Sequence, residues 1–596
     1  MSDHYRWCIT PQGSLAGSIK RVERFRNGIL HLGFGPVDVS DGIDWFSDPF
    51  DTRMWKFRLH NLQWLYDLYR VAGETDDAAA GVEANAVIED WMAHNGDPAT
   101  AADMAWDDHV TALRARVVVC SVMAFGGQFK DALGQHADVI APVALAQPAW
   151  NHGTDQLLTL LTIGCALGGG DVTEKALARL AVTLPDIIDE QGVSNEQAPT
   201  YDYYVWSQLD ELARLVGSCG LEEMPVLERR MKTPTFLAHA TRPDGRYAHI
   251  GDTTPNRVHP IEGTPLEYAL SGGEVGSPPD EVVAVYDRGY VFGRSGWGTE
   301  RALVEETWYS IRFGPGRQLH GHRDHTSFTW YAKGRPMIVE AGFGGYDDDE
   351  FRKYDRSEFA HNQVVAAGAG DYEANAHTEL ANHGRGDGWE SYLLRDRPYR
   401  GVERRRSLLV DHRTPFLVIR DELESMSGRP RDFTSLLHLP SDVNGSKPTP
   451  DGYVFELTSD PPVELHVLLI GAERVEVFQE WGGTGGWIAD GLLKREAGQV
   501  LAAHVTGASV TFATALVPVS RTSVAVTGSA DEIRLAVGDS SFQVGHDPAS
   551  GLLRPDTDGA SVWFPNLMSD QRRVNVWQRW VRAVRGRPLD RNPDGG

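Results

Sequence analysis

The periodicity of apolar residues changes once along this chain, near Gly263. Before that point apolar residues recur at three- and four-residue spacing, for example at Trp55, Leu59, Leu62, Tyr66 and Tyr69. Such spacing predicts amphipathic helices. After it, short β-branched and aromatic runs are bounded by Gly, Pro, Asp and Asn, which predicts antiparallel strands. This order favours a helical array or an (α/α) toroid, followed by stacked sheets, over a parallel sheet.

The 596 residues exceed what one hydrophobic core can organise, so several domains are expected. Helices are predicted at residues 54–71, 101–123, 155–167, 173–184, 205–216 and 225–240, with Pro185 closing the fourth. Strands are predicted at 290–292, 326–331, 337–340, 416–420, 463–470, 510–513 and 562–564. The predicted fold class is α+β multidomain: an N-terminal (α/α) toroid over 1–265, a turn-rich linker over 266–282, and a C-terminal antiparallel β-sandwich over 283–596.

The formal net charge of −26 limits the partners. Its negative field repels nucleic acid, and no long Lys/Arg run offsets it, so no nucleic-acid partner is expected. A densely sulfated substrate is also disfavoured unless a local basic patch reverses the field. The candidate patch consists of Arg312, Arg317, Arg323, Arg352, Lys353 and Arg356. No apolar run approaches the roughly 20 residues of a membrane span, so no membrane partner is expected.

The first residues lack the basic-then-apolar pattern of a secretory leader. A cytoplasmic location is therefore expected, or a secreted or periplasmic one if a leader was removed. The cysteines form no C-x-x-C pair and are expected to be buried free thiols; they are Cys8, Cys120, Cys165 and Cys219. A homo-oligomer is left open.

The densest polar cluster is centred on His320-Gly-His322 and continues to Asp324. On an extended strand, histidines at i and i+2 point to the same face. Glu340 ends a predicted strand downstream, and His361 follows within the same strand-rich region. Two imidazoles and a carboxylate are the ligands expected for zinc or a similar divalent ion with an open position. The alternative is that these are unrelated surface histidines.

Two further clusters lie in the helical half. In the first, Thr154 or Asp155 could cap the helix that follows, but capping does not account for both Asn151 and His152. The second runs from residue 195 to 204 and contains Glu196 and Tyr201, together with further tyrosines. The alternative interpretation of this second cluster is a loop whose tyrosines pack on the helices.

In this order, the three clusters resemble the heparinase II/III-like polysaccharide lyases, which join an N-terminal (α/α) toroid to a C-terminal antiparallel β-sandwich. The resemblance is strongest over residues 312–368. Further matching segments are Trp55–Asn61, Asn151–Gly153, Glu196–Tyr201, Pro243–Gly245 and Ile250–Asp252. One position departs from the pattern: the family usually has Asp where this chain has Glu340, so the ion would lie about one methylene further from that strand.

The resemblance implies cleavage of a uronic-acid polysaccharide or oligosaccharide, a glycosaminoglycan or alginate, by β-elimination. Asn151 and His152 would neutralise the substrate carboxylate. Tyr201 and His320 would supply base and acid: Tyr201 both for one C5 configuration, or His320 as base and Tyr201 as acid for its epimer. A tyrosine is a good acid and a poor base unless nearby cations lower its pKa from about 10.

The resemblance further implies a structural divalent ion, zinc in the first instance, bound by His322, Glu340 and His361. The ion would stiffen the sandwich loops that hold His320, and Asp324 could fix a ligand tautomer. Substrate contacts are assigned to Glu196, Arg317, Arg323 and Arg356, since a guanidinium fork suits a carboxylate. For Arg317, Arg323 and Arg356, an ordinary solvated position is an equally good interpretation.

Two other functions compete with a lyase. A toroid-based glycoside hydrolase needs paired carboxylates, for which Asp252, Glu196 or Asp202 could serve. It leaves the H-x-H motif and His361 unexplained. A non-catalytic carbohydrate-binding protein could keep the same fold, but it would not need Asn151, Tyr201 and His320 together. The acidic composition suggests short, lightly charged oligosaccharides, cleaved from an end.

Overall fold

A computed structural model describes residues 7–9, 11, 13–254, 259–367, 372–373, 375–458, 462–479, 483, 485–491, 494–556 and 562–564. The chain divides into two compact units. The helical unit comprises Met1–Glu190 and Tyr204–Met231, and the β unit comprises Gln191–Tyr203 and Lys232–Gly596. The β unit thus includes residues 191–203 and 232–265, which the sequence analysis assigned to the helical domain. The predicted domain limits stay a prediction.

The helices account for most of the N-terminal half. They are α1 (Leu15–Arg26), α2 (Arg53–His60), α3 (Tyr66–Glu74), α4 (Ala79–Asn95), α5 (Asp108–Ala124), α6 (Lys130–Ala144), α7 (Asn151–Leu167), α8 (Asp171–Ile187), α9 (Pro199–Ser218), α10 (Thr233–Ala240), α11 (Pro265–Leu270) and α12 (Glu350–Asp355). In the helical unit α7 packs between α5 and α8. Among the described helices, none combines the length and apolar character that crossing a bilayer requires.

Three local predictions about the helices are wrong. The helix predicted over 54–71 is two helices, α2 and α3, because Leu62 between them has φ 55°, which an α-helix does not accommodate. Pro185 lies inside α8 instead of ending it. Because α7 begins at Asn151, Thr154 and Asp155 lie within its first turns and do not cap it.

The β unit consists of antiparallel sheets. A five-stranded sheet contains β3 (Val283–Tyr286), β4 (Tyr290–Arg294), β5 (Trp308–Arg312), β6 (Phe328–Ala332) and β7 (Arg335–Ile338) in sequence order. A nine-stranded sheet has the order β14-β15-β16-β21-β12-β11-β10-β9-β26. Its strands are β9 (Glu379–Gly386), β10 (Trp389–Tyr399), β11 (Val402–Asp411), β12 (Phe416–Ser425), β14 (Val443–Thr449), β15 (Gly452–Leu457), β16 (Val463–Ile470), β21 (Ser509–Val519) and β26 (Val562–Phe564).

Smaller sheets complete the unit. A four-stranded sheet, ordered β17-β20-β13-β8, contains β8 (Val364–Ala367), β13 (Arg431–Leu439), β17 (Arg474–Phe478) and β20 (Gln499–Gly507). Another contains β22 (Val524–Ser529), β23 (Glu532–Val537), β24 (Ser540–Asp547) and β25 (Leu552–Pro555). A hairpin pairs β18 (Trp487–Gly491) with β19 (Lys494–Ala497). In the helical unit, β1 (Ile29–His31) pairs with β2 (Pro36–Asp38).

The core of the β unit lies between these sheets. Ile311 and Trp330 of the five-stranded sheet pack in one apolar cluster with Leu408 of the nine-stranded sheet and Leu437 of the first four-stranded sheet. All four side chains are at most 2% exposed, so their burial supplies much of the driving force for stacking the sheets. The predicted fold class, helices followed by stacked antiparallel sheets, is confirmed. Residues 565–596 of the predicted sandwich lie outside the described residues.

The cysteines are paired, and the prediction of free thiols is wrong. Cys8 is bonded to Cys120, and Cys165 to Cys219. The partners are 112 and 54 residues apart, so no local spacing could reveal them. Disulfides persist mainly in oxidising compartments, and the location of this protein stays a prediction.

Reduction should destabilise the helical unit. Each bond closes a long loop, and losing such a bond costs about 2–4 kcal/mol of unfolding free energy. We expect a reductant to lower the melting temperature of the wild-type protein measured by calorimetry, and to leave a Cys→Ser quadruple variant unaffected. Four titratable thiols in unreduced, denatured protein would contradict the pairing.

Candidate active site

Three loops of the β unit meet at His320. The His320 backbone N–H donates to the Glu196 carbonyl (3.2 Å), and the His320 carbonyl accepts from the Asp252 N–H (2.8 Å). Gly251 makes this approach possible: its φ is +54°, and a Cβ there would lie 2.5 Å from the His320 oxygen. Only glycine fits such a backbone position. Gly321 is similarly constrained, since its Cβ would lie 2.1 Å from the Gln197 side chain.

The H-x-H segment is a loop between β5 and β6, so the predicted extended strand is wrong. Leu319 and Thr326 have φ of 42° and 70°, in the left-handed region of φ/ψ space. A segment with such residues does not keep the two-residue alternation of a strand. The two histidines therefore have different partners. His320 contacts Glu196, and His322 contacts Asp252.

His320 is oriented by a buried carboxylate. Its Nδ1 is 2.7 Å from Oε2 of Glu196, whose side chain is fully buried, whereas the His320 side chain is 11% exposed. A carboxylate on Nδ1 holds the proton there and leaves Nε2 as the basic nitrogen. Glu196 was predicted to contact the substrate. In the structure its carboxylate lies on the Nδ1 side of the His320 ring.

Tyr201 stacks on His320. Their ring centroids are 3.4 Å apart with 10° between the planes. The Tyr201 hydroxyl is hydrogen-bonded to the hydroxyl of Tyr346. Burial raises the pKa of Tyr201 above its ordinary value, and the negative charge of Asp252 raises it further. The phenol is therefore protonated at neutral pH and suited to donate a proton.

Asp252 links His322 to α12. Its Oδ1 accepts from His322 Nε2 (2.9 Å), and its two oxygens accept from Arg352 at 2.5 and 2.9 Å. Burial would raise the pKa of this carboxyl, but the guanidinium and the imidazole outweigh it and hold the pKa below its ordinary range. Arg352 of the predicted basic patch is therefore committed to an internal ion pair.

Glu340 lies just beyond the end of β7 and contacts His361. Its Oε2 accepts from His361 Nδ1, and its Oε1 accepts from the Ser327 hydroxyl. Asn362 donates from its side-chain amide to the same Oε1 at 3.5 Å. Both oxygens of the carboxylate are thus engaged. This arrangement points the Nδ1 proton of His361 towards Glu340, so Nε2 is the ring nitrogen left for another partner.

The predicted metal ligands fit a divalent ion in part. His322 Nδ1 and His361 Nε2 are buried and have no hydrogen-bond partner among the described residues, and the ring centroids are 5.5 Å apart. Within the described part of the chain, however, no group of three or more His, Cys, Asp or Glu residues is arranged to hold a metal. The imidazoles therefore suit an ion, whereas the Glu340 oxygens are engaged by neighbouring groups.

Asp324 and the arginines predicted to contact the substrate differ in their burial and in their ion-pair partners. Asp324 pairs with Arg312 at 3.2 Å, so the buried guanidinium, and not a ligand histidine, is its nearest partner. Arg323 is 36% exposed and 3.2 Å from Glu358. Arg356 follows the last turn of α12 and is half-buried. Arg317 is half-buried, and its Nε has no hydrogen-bond partner among the described residues.

Asn151 and His152 lie at the start of α7 in the helical unit. Asn151 is 1% exposed, and His152 stacks on His109 with ring centroids 3.8 Å apart. His109 in turn contacts Asp155 at 2.9 Å. Asp155 also accepts from the Tyr204 hydroxyl at 2.6 Å. This polar cluster orders the start of the helix, and the roles predicted for Asn151 and His152 stay predictions.

Sequence reasoning missed three contacts of this site. Tyr346 lies within the segment of strongest resemblance, residues 312–368, but was given no role. Arg352 was predicted only as part of a basic patch, and Asp252 only as one possible hydrolase carboxylate. Tyr201 and Tyr346 are 145 residues apart, and Arg352 and Asp252 are 100 apart. Of these residues, only Asp252 had a signal in the sequence, the motif Ile250-Gly-Asp252. A glycine is typical of a position where another part of the molecule approaches the backbone closely.

Residues 288–511 match the family profile "Heparinase II/III-like, C-terminal". This segment is therefore similar to the C-terminal part of heparinase II/III-like proteins. The resemblance inferred from the motifs is thereby confirmed, and the matched segment carries His320, His322, Glu340 and His361. A comparison with curated proteins finds no match.

Solved structures of similar fold include a crystal structure of heparinase III, with a TM-score of 0.71 and 16% sequence identity over 90% of this chain and 94% of that one. Heparan sulfate lyase HepC from Pedobacter heparinus aligns with a TM-score of 0.63 and 15% identity over 91% of each chain. At such identity the likeness establishes the fold alone.

The Glu196–His320 pair should affect turnover more than binding. Glu196→Ala removes the acceptor that orients the imidazole, so kcat should fall at least about tenfold, towards the 10²–10⁴-fold expected for losing a general base. KM should change little, and Glu196→Asp should restore part of the rate. The matched control is Glu390→Gln, which alters a buried pair with His412 (2.6 Å) in the nine-stranded sheet. Equal effects of the two changes would contradict a positioning role for Glu196.

Proposed function

We propose that this chain is a polysaccharide lyase that cleaves a uronic-acid-containing polysaccharide or oligosaccharide by β-elimination. The observation that carries the proposal is the stacked Tyr201–His320 pair, with Glu196 on the far nitrogen of the imidazole. It offers an oriented base and a protonated acid side by side. The similarity of residues 288–511 to the C-terminal part of heparinase II/III-like proteins supports the same reaction class.

The reaction needs one proton removed and one supplied. His320 Nε2 takes the proton from C5 of the uronate, and the electron pair of that bond forms the C4–C5 double bond. The C4–O bond breaks, and the Tyr201 hydroxyl donates its proton to the departing oxygen. The raised pKa of Tyr201 disfavours its use as the base. Of the two assignments that the resemblance leaves open, the structure supports His320 as base and Tyr201 as acid.

The substrate carboxylate must be neutralised while charge builds up at C5. We propose this role for Asn151 and His152, as the family resemblance implies. Among the predicted substrate arginines, Arg323 is exposed enough to reach a ligand, although it shares its charge with Glu358. Arg317 and Arg356 remain proposed contacts.

We further propose that a divalent ion such as zinc binds at His322, Glu340 and His361. The buried, unpartnered imidazole nitrogens support this proposal. When bound, the ion would hold the loop after β5 rigid. In its absence, the hydrogen bonds of Asp252 and Glu340 already fix both imidazoles.

A glycoside hydrolase is less well supported. It needs two carboxyl groups facing a substrate. Asp252 is committed to Arg352 and His322, Glu196 lies behind His320, and Asp202 accepts from the Ser194 backbone N–H at 2.6 Å. All three are at most 1% exposed. A non-catalytic role would leave the Tyr201–His320 pair without a purpose.

Lyase activity is tested on uronic-acid polymers. Alginate, hyaluronate, chondroitin, heparan and glucuronan are incubated with the protein, and the ultraviolet absorbance of an unsaturated uronate is followed. Tyr201→Phe and His320→Ala should each lower kcat by about 10²–10⁴-fold, because each removes one of the proton-transferring groups. Their melting temperatures should remain close to that of the wild type.

The control changes for this test are Tyr453→Phe in β15 and His94→Ala in α4, which lie outside the proposed machinery. Both should keep wild-type rates. Absence of unsaturated product from every polymer, or full activity in Tyr201→Phe, would refute the proposal. New reducing ends without ultraviolet absorbance would instead indicate a hydrolase.

The metal proposal is tested by elemental analysis of protein purified without added ions. We expect about one equivalent of a divalent ion, which His322→Ala should abolish because it removes an imidazole ligand. His412→Ala, a buried histidine of the nine-stranded sheet, should retain the ion. A folded wild-type protein without metal, and unable to take up added zinc, would show that the hydrogen-bonded His361–Glu340 pair replaces the ion.

A further inference from the structure

Gln197 lies between Glu196 and the start of α9 and has a left-handed backbone. Its φ is +63°, in a region that residues other than glycine rarely occupy and that costs them free energy. Glycine adopts the same conformation without this cost. Such a residue persists where the surrounding structure fixes it, and the Gln197 side chain is accordingly buried, with 2% exposed.

The carboxamide of Gln197 binds the backbone of the loop between β5 and β6. Its Nε2 donates to the carbonyls of Pro315 (3.3 Å) and Gly316 (3.1 Å). Its Oε1 accepts from the Gln318 N–H at 2.6 Å. A side-chain amide carries two N–H donors and one carbonyl acceptor, and Gln197 uses all of these on a single stretch of four residues.

That stretch, residues 315–318, needs side-chain partners. It forms neither helix nor strand, so a ladder of backbone hydrogen bonds does not satisfy its polar groups. Its residues are buried or half-buried, and buried carbonyls require a hydrogen-bond partner. Just before it, the Gly314 N–H donates to the Thr378 carbonyl at 2.7 Å. Gln197 therefore holds the loop between that anchor and His320.

Two glycines allow Gln197 to lie directly against its neighbours. A Cβ at Gly321 would lie 2.1 Å from Oε1 of Gln197, and a Cβ at Gly251 would lie 2.6 Å from the Gln197 carbonyl oxygen. A side chain at either position would displace Gln197 from the loop. The carboxamide is therefore confined by close packing as well as by its hydrogen bonds.

The stretch from Glu196 to Tyr201 meets the same loop at three places. Oε2 of Glu196 is 2.7 Å from Nδ1 of His320, and the Tyr201 ring stacks on the His320 ring. Gln197 binds the residues just before His320. One short segment thus contacts the imidazole from two sides and also fixes the backbone that leads into it.

We infer that Gln197 is a positioning residue for the proposed elimination. Its carboxamide fixes residues 315–318 and thereby the place of His320 against Glu196 and Tyr201. Gln197 acts through His320 and takes no part in proton transfer, so this role rests on the proposed function. A misplacement of about 1 Å at a reacting group can lower a rate about 10²-fold, and loss of the carboxamide should therefore appear in kcat.

The contacts of Gln197 are tested without catalysis, by hydrogen–deuterium exchange and mass spectrometry of the full-length protein. In the wild type, a peptide covering residues 315–321 should exchange slowly, because the N–H groups of Gln318 and His320 are hydrogen-bonded. Gln197→Gly should speed its exchange about tenfold, since it removes the hydrogen bonds that hold this backbone. Exchange in β11 should be unchanged, because the substitution acts locally.

Two substitutions separate positioning from stability. Gln197→Gly removes the backbone strain together with the hydrogen bonds, so its melting temperature should stay near that of the wild type. Gln197→Met keeps the strain and loses the hydrogen bonds, so its melting temperature should fall. Both should lower kcat at least about tenfold and leave KM within about twofold. The matched control is Lys333→Gly, at an exposed left-handed residue (φ 53°) between β6 and β7, which should keep the wild-type kcat.

Failure of the positioning role and failure of the lyase are distinguishable. If kcat follows the melting temperature, with Gln197→Gly near the wild-type rate and Gln197→Met impaired, Gln197 is merely structural. Unaltered exchange of residues 315–321 in Gln197→Gly, or a raised KM at constant kcat, refutes the positioning role even where unsaturated product forms. If no polymer yields unsaturated product, the role in elimination falls with the lyase, and the exchange experiment still decides whether Gln197 holds the loop.

Discussion

The arrangement of the site depends on the contacts made by Asp252 and its buried carboxylate. It joins the segment after Ile250 to His322 and to Arg352 of α12. Its backbone N–H also holds the carbonyl of His320. An unpaired buried charge costs several kcal/mol, so these partners cannot separate independently. The loop that carries Tyr346 leads into α12, and its position therefore follows from the same ion pair.

The sequence allowed the candidate pair of Tyr201 and His320 to be predicted, but not the residues that hold the pair in place. Tyr201 and His320 were assigned from motifs, and the structure stacks their rings. Glu196, which orients His320, is 124 residues away in sequence, and its fully buried side chain follows from the meeting of three loops that no local pattern encodes. The helices and strands were more accessible, because periodicity reports which face of an element is buried.

The metal ligands show where pattern reasoning is weakest. Alternation along a strand predicted His320 and His322 on one face, but the segment is a turn in which the Gly321 N–H donates to the Gln318 carbonyl at 2.7 Å. Glu340 was expected to reach an ion. In the structure its carboxylate contacts Nδ1 of His361, and its role as a ligand stays a prediction.

Charge around Tyr201 limits what substrate the site can accept. Burial, followed by the negative charges of Asp252 and Glu196, raises the pKa of Tyr201 and keeps the phenol protonated, and the neighbouring Arg352 is already paired with Asp252. On the proposed function, a uronate entering here would bring a further negative charge, which donors outside this group of residues would have to meet. Each additional anionic group on the substrate would add to the repulsion. With a chain charge of −26, a polymer whose only anionic group is the uronate carboxylate at the cleaved sugar fits these electrostatics better than a sulfated one.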